Sequence, residues 1–172
     1  MNTDELFKLT SLYGKDLFSF CLYLTQSKYE ADELYQDAFL KAYEMSDKIF
    51  ENSNLKSFLI GIAIRLWKNK KRKSAWRNRI APKDSLDDAG GVEYDGMGPD
   101  KILMAAEEKD AVRSAVNSLN DKFKIPILLY YSMDMSVEKI SELLKIPQGT
   151  VKSRLYNARK ILKEKLEADI YG

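Results

Sequence analysis

Apolar residues recur along the first quarter of the chain at helical intervals. Leu6, Leu9, Tyr13, Leu17, Phe20 and Leu24 share one stripe over residues 6–24. Ala31, Leu34, Tyr35, Ala38, Ala42 and Met45 share another over residues 30–45. The segment KIFENSN, residues 48–54, is turn-like and ends in Asn54, a residue type that caps helices. A third helix is predicted from Leu55 to about Lys73, buried through Leu55, Phe58, Leu59, Ile62, Ala63 and Leu66. Periodicity then stops. Residues 81–100, APKDSLDDAGGVEYDGMGPD, collect Gly, Pro and Asp and read as a flexible linker. A second set of helices follows. Residues 102–118 pack through Leu103, Ala106, Val112, Ala115 and Val116, and Asn120 or Asp121 caps the next element. That element, 125–131, is apolar, with Pro126 in its first turn. Helices over 137–144 and 149–166 complete the chain. The fold class predicted is all-α, with a helical domain at 1–80, a linker at 81–100 and a helical domain at 101–172.

The run SVEKISELLKIPQGTVKSRLYNARK, residues 136–160, has the layout of a helix-turn-helix. Ser136 can cap the first helix, with Lys139 at its third position, and Ile140, Leu143 and Leu144 point inward. Lys145, Ile146 and Pro147 form the turn. In the second helix Val151, Leu155, Ala158 and Leu162 fall on one stripe and must be core. Opposite them lie Gly149, Ser153, Tyr156, Asn157 and Lys160, flanked by Lys152 and Arg159. The first residues of such a helix, Gly149 and Thr150 here, reach base edges, and long cations further along meet phosphates. A solvated surface helix would also be basic; the turn spacing and the ordered apolar stripe favour the groove reader.

Charge changes the picture more than composition does. The 172 residues carry a net charge of only +2, yet residues 1–51 hold ten acids and five bases. Residues 65–79 hold eight bases and no acid, 84–100 six acids and no base, and 148–165 six bases and one acid. Such segregation suits several partners of different electrostatic demand. Apolar residues at 45% and charged residues at 31% mark a globular chain. Histidine is absent and Cys21 stands alone, so the commonest general base, the commonest metal ligand and an internal disulfide are all missing. No catalytic residue, metal or cofactor is expected. Neither a membrane span nor a signal peptide is legible, since MNTDELFKL is acidic where a leader would be basic. The expectation is a cytoplasmic protein that is not an enzyme.

Two further surfaces lie in the first domain. Arg65, Lys68, Lys70, Lys71, Arg72 and Lys73 crowd the end of the third helix, interleaved with Trp67 and followed by Trp76. Cations there also suit the helix dipole, but six exceed what a terminus needs. Aromatic rings among cations fit unstacked single-stranded bases. Phe50, Asn52, Ser53 and Asn54 in the preceding loop offer groups that could read an extruded base, or simply form the turn. The second helix differs: Asp32, Glu33, Gln36, Asp37 and Glu44 face outward with Leu40 and Tyr43 among them. Apolar anchors in a polar rim fit a protein interface. A solvated acidic face with an incidental leucine accounts for the same residues.

At this point three motifs carry a resemblance. EADELYQDAFLKAYE resembles region 2.2, NLKSFLIGIAIRLWKNKKRK regions 2.3 and 2.4, and LLKIPQGTVKSRLYNARKIL region 4.2 of the extracytoplasmic-function sigma factors of bacterial RNA polymerase. The resemblance implies contact with the polymerase β′ coiled-coil by Asp32, Glu33, Gln36, Asp37 and Leu40, and with the β flap. It implies −10 contacts by Phe50, Asn52, Asn54, Lys56, Arg65, Trp67, Lys68, Lys71 and Arg72, where promoter DNA is melted and read. It implies −35 contacts by Gly149, Thr150, Lys152, Ser153, Arg154, Tyr156, Asn157, Arg159 and Lys160. The acidic linker would thread the polymerase cleft. A further partner implied is an anti-sigma factor, often membrane-anchored, acting in a stress response. Arg65 departs from the family, which commonly has Asn there, as do Gly61 and Ile64 at positions that are often basic, and Pro147 where a Ser or Thr cap is usual. The rival reading is an autonomous helix-turn-helix regulator that binds duplex DNA by itself.

Overall fold

The computed structural model describes residues 3–45, 54–80 and 106–171. Seven helices and no strand occur among them: α1 (Thr3–Thr25), α2 (Lys28–Glu44), α3 (Leu55–Ile80), α4 (Ala106–Asn117), α5 (Asp121–Tyr131), α6 (Val137–Leu144) and α7 (Gln148–Tyr171). The chain divides into two compact units, Met1–Glu93 and Tyr94–Gly172. The linker read at 81–100, the core residue Leu103, and Phe50, Asn52 and Ser53 of the loop lie outside the described residues.

In the first unit α1, α2 and α3 pack on one another. Leu17, Phe20, Cys21 and Leu24 meet Ala31, Leu34, Ala38 and Ala42, and Leu59, Ile60 and Ala63 complete the core. The alanines let α2 approach its neighbours closely while the larger side chains fill the volume between. α2 starts where it does because Ser27 is extended and its hydroxyl accepts from Glu30 N at 3.3 Å. Gln26, in the left-handed region at φ 57°, turns the chain between α1 and α2. Burial pushes the Cys21 thiol up to about 12, so the group is a neutral packing element.

α3 corrects the sequence reading twice. It runs to Ile80, beyond the expected end near Lys73. No Gly or Pro interrupts 74–80, and Ala75, Arg77 and Arg79 sustain the helix. Its core stripe is also rotated. Leu55, Phe58 and Leu66 are only half-buried, whereas Ile60, Ile64 and Trp67 are buried.

Gly14, buried on α1, faces Tyr35 of α2, whose ring stands edge-on to Phe18 at 5.7 Å and to Phe39 at 4.9 Å. A Cβ at Gly14 would sit 2.9 Å from the Tyr35 hydroxyl oxygen, and no nearer than 4.0 Å to the ring carbon that bears it. Gly14→Ala is therefore expected to destabilise the unit by about 1–3 kcal/mol through overpacking, against a helix-propensity gain of about 1. In a Tyr35→Phe background the clash is gone and the same change should stabilise. Thermal melts of the four-variant cycle check this; equal effects in both backgrounds would refute it.

In the second unit α7 is packed by α4, α5 and α6. Its inner residues Val151, Leu155 and Ala158 meet a core of Leu119, Ile125, Leu128, Leu129, Met133, Met135 and Ile140. Val112, Leu143, Leu144 and Leu162 are half-buried at its margin. α5 begins at Asp121, with Asn120 extended at the cap position but making no side-chain cap bond. Pro126 thus falls inside the helix instead of in its first turn. It removes one rung of the hydrogen-bond ladder, and its fully buried ring fills core volume. α6 is a short helix with strong ends. The Ser136 hydroxyl accepts from Lys139 N at 3.2 Å. At the other end Lys145 is left-handed at φ 56°, and Ile146 N donates to Ser141 O at 3.2 Å. The Ser141 hydroxyl donates to Ile146 O at 2.5 Å, which ties the turn back onto α6. The Pro147 carbonyl then accepts from Thr150 and Val151 N, starting α7.

Candidate nucleic-acid interfaces

Every described residue of α3 from Lys68 to Ile80 is exposed. At helical spacing Arg65, Arg72, Trp76 and Arg79 form one outward line, with Lys68 beside it. The Arg72 guanidinium donates to the Asn69 side chain at 3.1 Å, which orders part of this face. Trp76 is 66% exposed and lies in the line of cations. Trp67 does not. It is 8% exposed on the opposite, core-facing side, and Lys71 sits 5.1 Å from its ring centroid. The Trp67 ring is thus packed on the core side of α3, where the sequence reading set it among the cations, and Trp76 is the exposed tryptophan of the helix. Lys56 is committed elsewhere: its ammonium lies 3.7 Å from Asp16 of α1. The Asn54 side-chain oxygen accepts from Ser57 N at 3.2 Å and caps α3, the role its residue type suggests.

The outward side of α2 carries an apolar line within acids. Tyr29, Leu40 and Tyr43 recur at helical spacing with the exposed Gln36 in the same line, and Leu40 is 63% exposed. Asp37 is exposed and Asp32 half-exposed beside them. Glu33 accepts from Lys70 of α3 at 2.8 Å, and that ammonium holds its carboxyl below the usual carboxylate range. Sequence reasoning treated Glu33 as an outward acid and did not include Tyr29. A tyrosine one turn before the acids was the available signal.

α7 presents the face expected of it. Gly149, Lys152, Ser153, Tyr156, Arg159 and Lys160 are exposed, and Thr150, Arg154 and Asn157 are half-exposed. Arg159 is not loose: its Nε donates to the Tyr131 hydroxyl at 2.7 Å. A Cβ at Gly149 would meet nothing within 4 Å, and its φ is not positive. Among the described residues nothing requires glycine there. Gly149→Ala should therefore raise the thermal midpoint of this unit, by up to about 1 kcal/mol of helix propensity. If the start of α7 enters a DNA groove, a methyl group there would hold it off the duplex, and binding of duplex DNA should weaken as well. A lowered midpoint would contradict the first expectation, and unchanged binding the second.

Among the described residues no group of three or more His, Cys, Asp or Glu side chains is placed to hold a metal ion, and no helix is long and apolar enough to cross a membrane.

Two helical units, each exposing one basic helix face and the second built as a helix-turn-helix, have the layout of a two-module nucleic-acid-binding protein. Residues 9–77 match Sigma-70 region 2, and residues 109–162 match Sigma-70, region 4; together they span more than half of the chain. The chain belongs to the sigma-70 family, within its extracytoplasmic-function group. It is 26% identical over 167 residues to the ECF RNA polymerase sigma factor SigW of Bacillus subtilis, covering 95% of this chain and 89% of that protein. It is 25% identical over 142 residues to the ECF RNA polymerase sigma-E factor of Escherichia coli, covering 80% and 74%. In fold it is similar to the sigma factor RpoE of Bartonella quintana, solved in complex with the anti-sigma factor NepR. That match has a TM-score of 0.77 and 23% identity over 97% of this chain and 99% of that one. Sigma factors are non-enzymatic initiation factors.

Proposed function

We propose that this chain binds core RNA polymerase through the Tyr29–Leu40–Tyr43 face of α2, opens and reads the −10 element with α3, and reads the −35 element with α7. The observation that carries this reading is the pairing of one exposed basic helix face in each unit with an acidic, apolar-centred face beside the first. The cations of α3 would follow the non-template backbone, and Trp76 would stack on an unpaired base. Unpairing costs about a few kcal/mol per base, and base–aromatic stacking returns ~1–3, so strand opening can be driven by binding energy without nucleotide hydrolysis. The working modules are 1–80 and 101–172, and the acidic segment 81–100 would lie in the polymerase cleft as a nucleic-acid mimic. The protein acts in the cytoplasm in a stress response, and an anti-sigma factor masks these faces until it is released.

The test is in vitro transcription by core polymerase, with and without this chain, on genomic fragments that include its own upstream region. Discrete transcripts that depend on the chain are expected. Absent transcripts, with tight duplex binding by the chain alone, would leave an autonomous regulator in its place.

A further inference from the structure

We infer that Tyr131 of α5 and Arg159 of α7 form one composite clamp for a backbone phosphate of duplex DNA, with Tyr130 and Tyr131 setting the direction of the arginine. The inference rests on the reading of α7 as the −35 helix, and it brings in a residue on a different helix, twenty-eight positions away in sequence.

The geometry is specific. Arg159 Nε donates to the Tyr131 hydroxyl at 2.7 Å, and the guanidinium carbon lies 5.5 Å from both tyrosine ring centroids. The rings meet edge-to-face at 5.0 Å and 74°, so each fixes the other. Arg159 thus has its flexible stem anchored by a hydrogen bond and two cation–π contacts. The bond uses the inner nitrogen alone. The two terminal amino groups of the guanidinium remain as a planar fork, the geometry that meets a phosphate with two parallel bonds. The Tyr131 hydroxyl accepts from Arg159, which leaves its own hydrogen to donate outward, and the residue is 56% exposed. On α7, Arg159 lies at the side of the face that carries Lys152, Tyr156 and Lys160, towards α5. A helix lying in the major groove has a phosphate backbone along that flank. An arginine ordered before binding gives up little side-chain freedom when the phosphate arrives, which is the gain a cradle provides.

A purely structural contact between α5 and α7 would use the same atoms, so the test must separate the two. Wild type, Tyr131→Phe, Arg159→Ala and the double variant are each assembled as full chains with core polymerase. Binding to a duplex promoter fragment transcribed by the wild type is then measured across a salt series. Tyr131→Phe keeps both rings and removes the acceptor, and it should weaken binding roughly three- to tenfold. Arg159→Ala should weaken it further and flatten the salt dependence by about one unit of log–log slope. In the Arg159→Ala background Tyr131→Phe should cost clearly less than beside the wild-type arginine, because only the hydroxyl's own bond to the phosphate is then lost. The thermal midpoint should stay the same with Tyr131→Phe. Equal costs in both backgrounds, or no cost with wild-type arginine, would overturn the clamp alone. A wild-type chain that forms no promoter complex with core polymerase would overturn the sigma reading, and the clamp with it.

Discussion

A chain carrying Leu40→Glu with Asp37→Lys is expected to give no promoter-specific transcript with core polymerase, while its thermal midpoint stays close to that of the wild type. Leu40 is 63% exposed and Asp37 is exposed, so neither side chain supports the core and the fold should tolerate both changes. At an interface the same positions have a different weight. Leu40 lies one turn before Tyr43 on an outward line that begins at Tyr29, and carboxylates flank it. A desolvated central anchor of this kind is worth about 2–4 kcal/mol, and burying a charge in its place adds the cost of an unpaired ion. On the proposed interface, reversing Asp37 would set a cation where the partner surface meets acids. Together the two changes should reduce affinity for core polymerase by roughly a thousandfold or more. Affinity titration of core polymerase checks the mechanism, and transcription checks its consequence. Normal transcription by the double variant would show that α2 is an ordinary solvated face and would remove the central contact of the proposed function.

Much of this architecture is legible in the residues because local chemistry decides it. α6 occupies 137–144 as expected, since Ser136 caps its start and the turn at 145–147 closes its end. The inner stripe Val151, Leu155, Ala158 follows from period alone. The misreadings have physical causes. Apolar periodicity stops near Lys73, and by pattern alone α3 ends there. The helix continues because intrinsic propensity sustains a solvated overhang that no packing requires. Trp67 sits among cations in sequence, yet Ile60, Ile64 and Trp67 repeat at helical spacing and all three are buried. Other features lay beyond local pattern. The Lys70–Glu33 pair joins residues thirty-seven positions apart, and the Arg159–Tyr131 bond joins two helices. Such contacts depend on how helices cross, and no window of sequence contains that information.

Cavities placed separately in the two cores should divide the protein's functions. Phe20 and Ile140 are both wholly buried, one in α1 and the other in α6. Phe20→Ala is expected to cost about 3–5 kcal/mol and Ile140→Ala about 2–5, against total stabilities of about 5–15 for a domain. α6 is especially vulnerable. It has eight residues, too few to persist in water unaided, and Ile140 is its one buried residue. Ile140→Ala should therefore release amide protection in α5–α7 and abolish −35 recognition, while α1–α3 stay protected and core polymerase still binds. Phe20→Ala should do the reverse, loosening α2 and α3 so that polymerase binding fails while α7 keeps its fold. Amide hydrogen exchange, resolved by helix and paired with polymerase titration, measures both effects. Loss of protection in all seven helices from either single change would mean that the two units fold as one, and that damage to one core cannot be separated from the functions of the other.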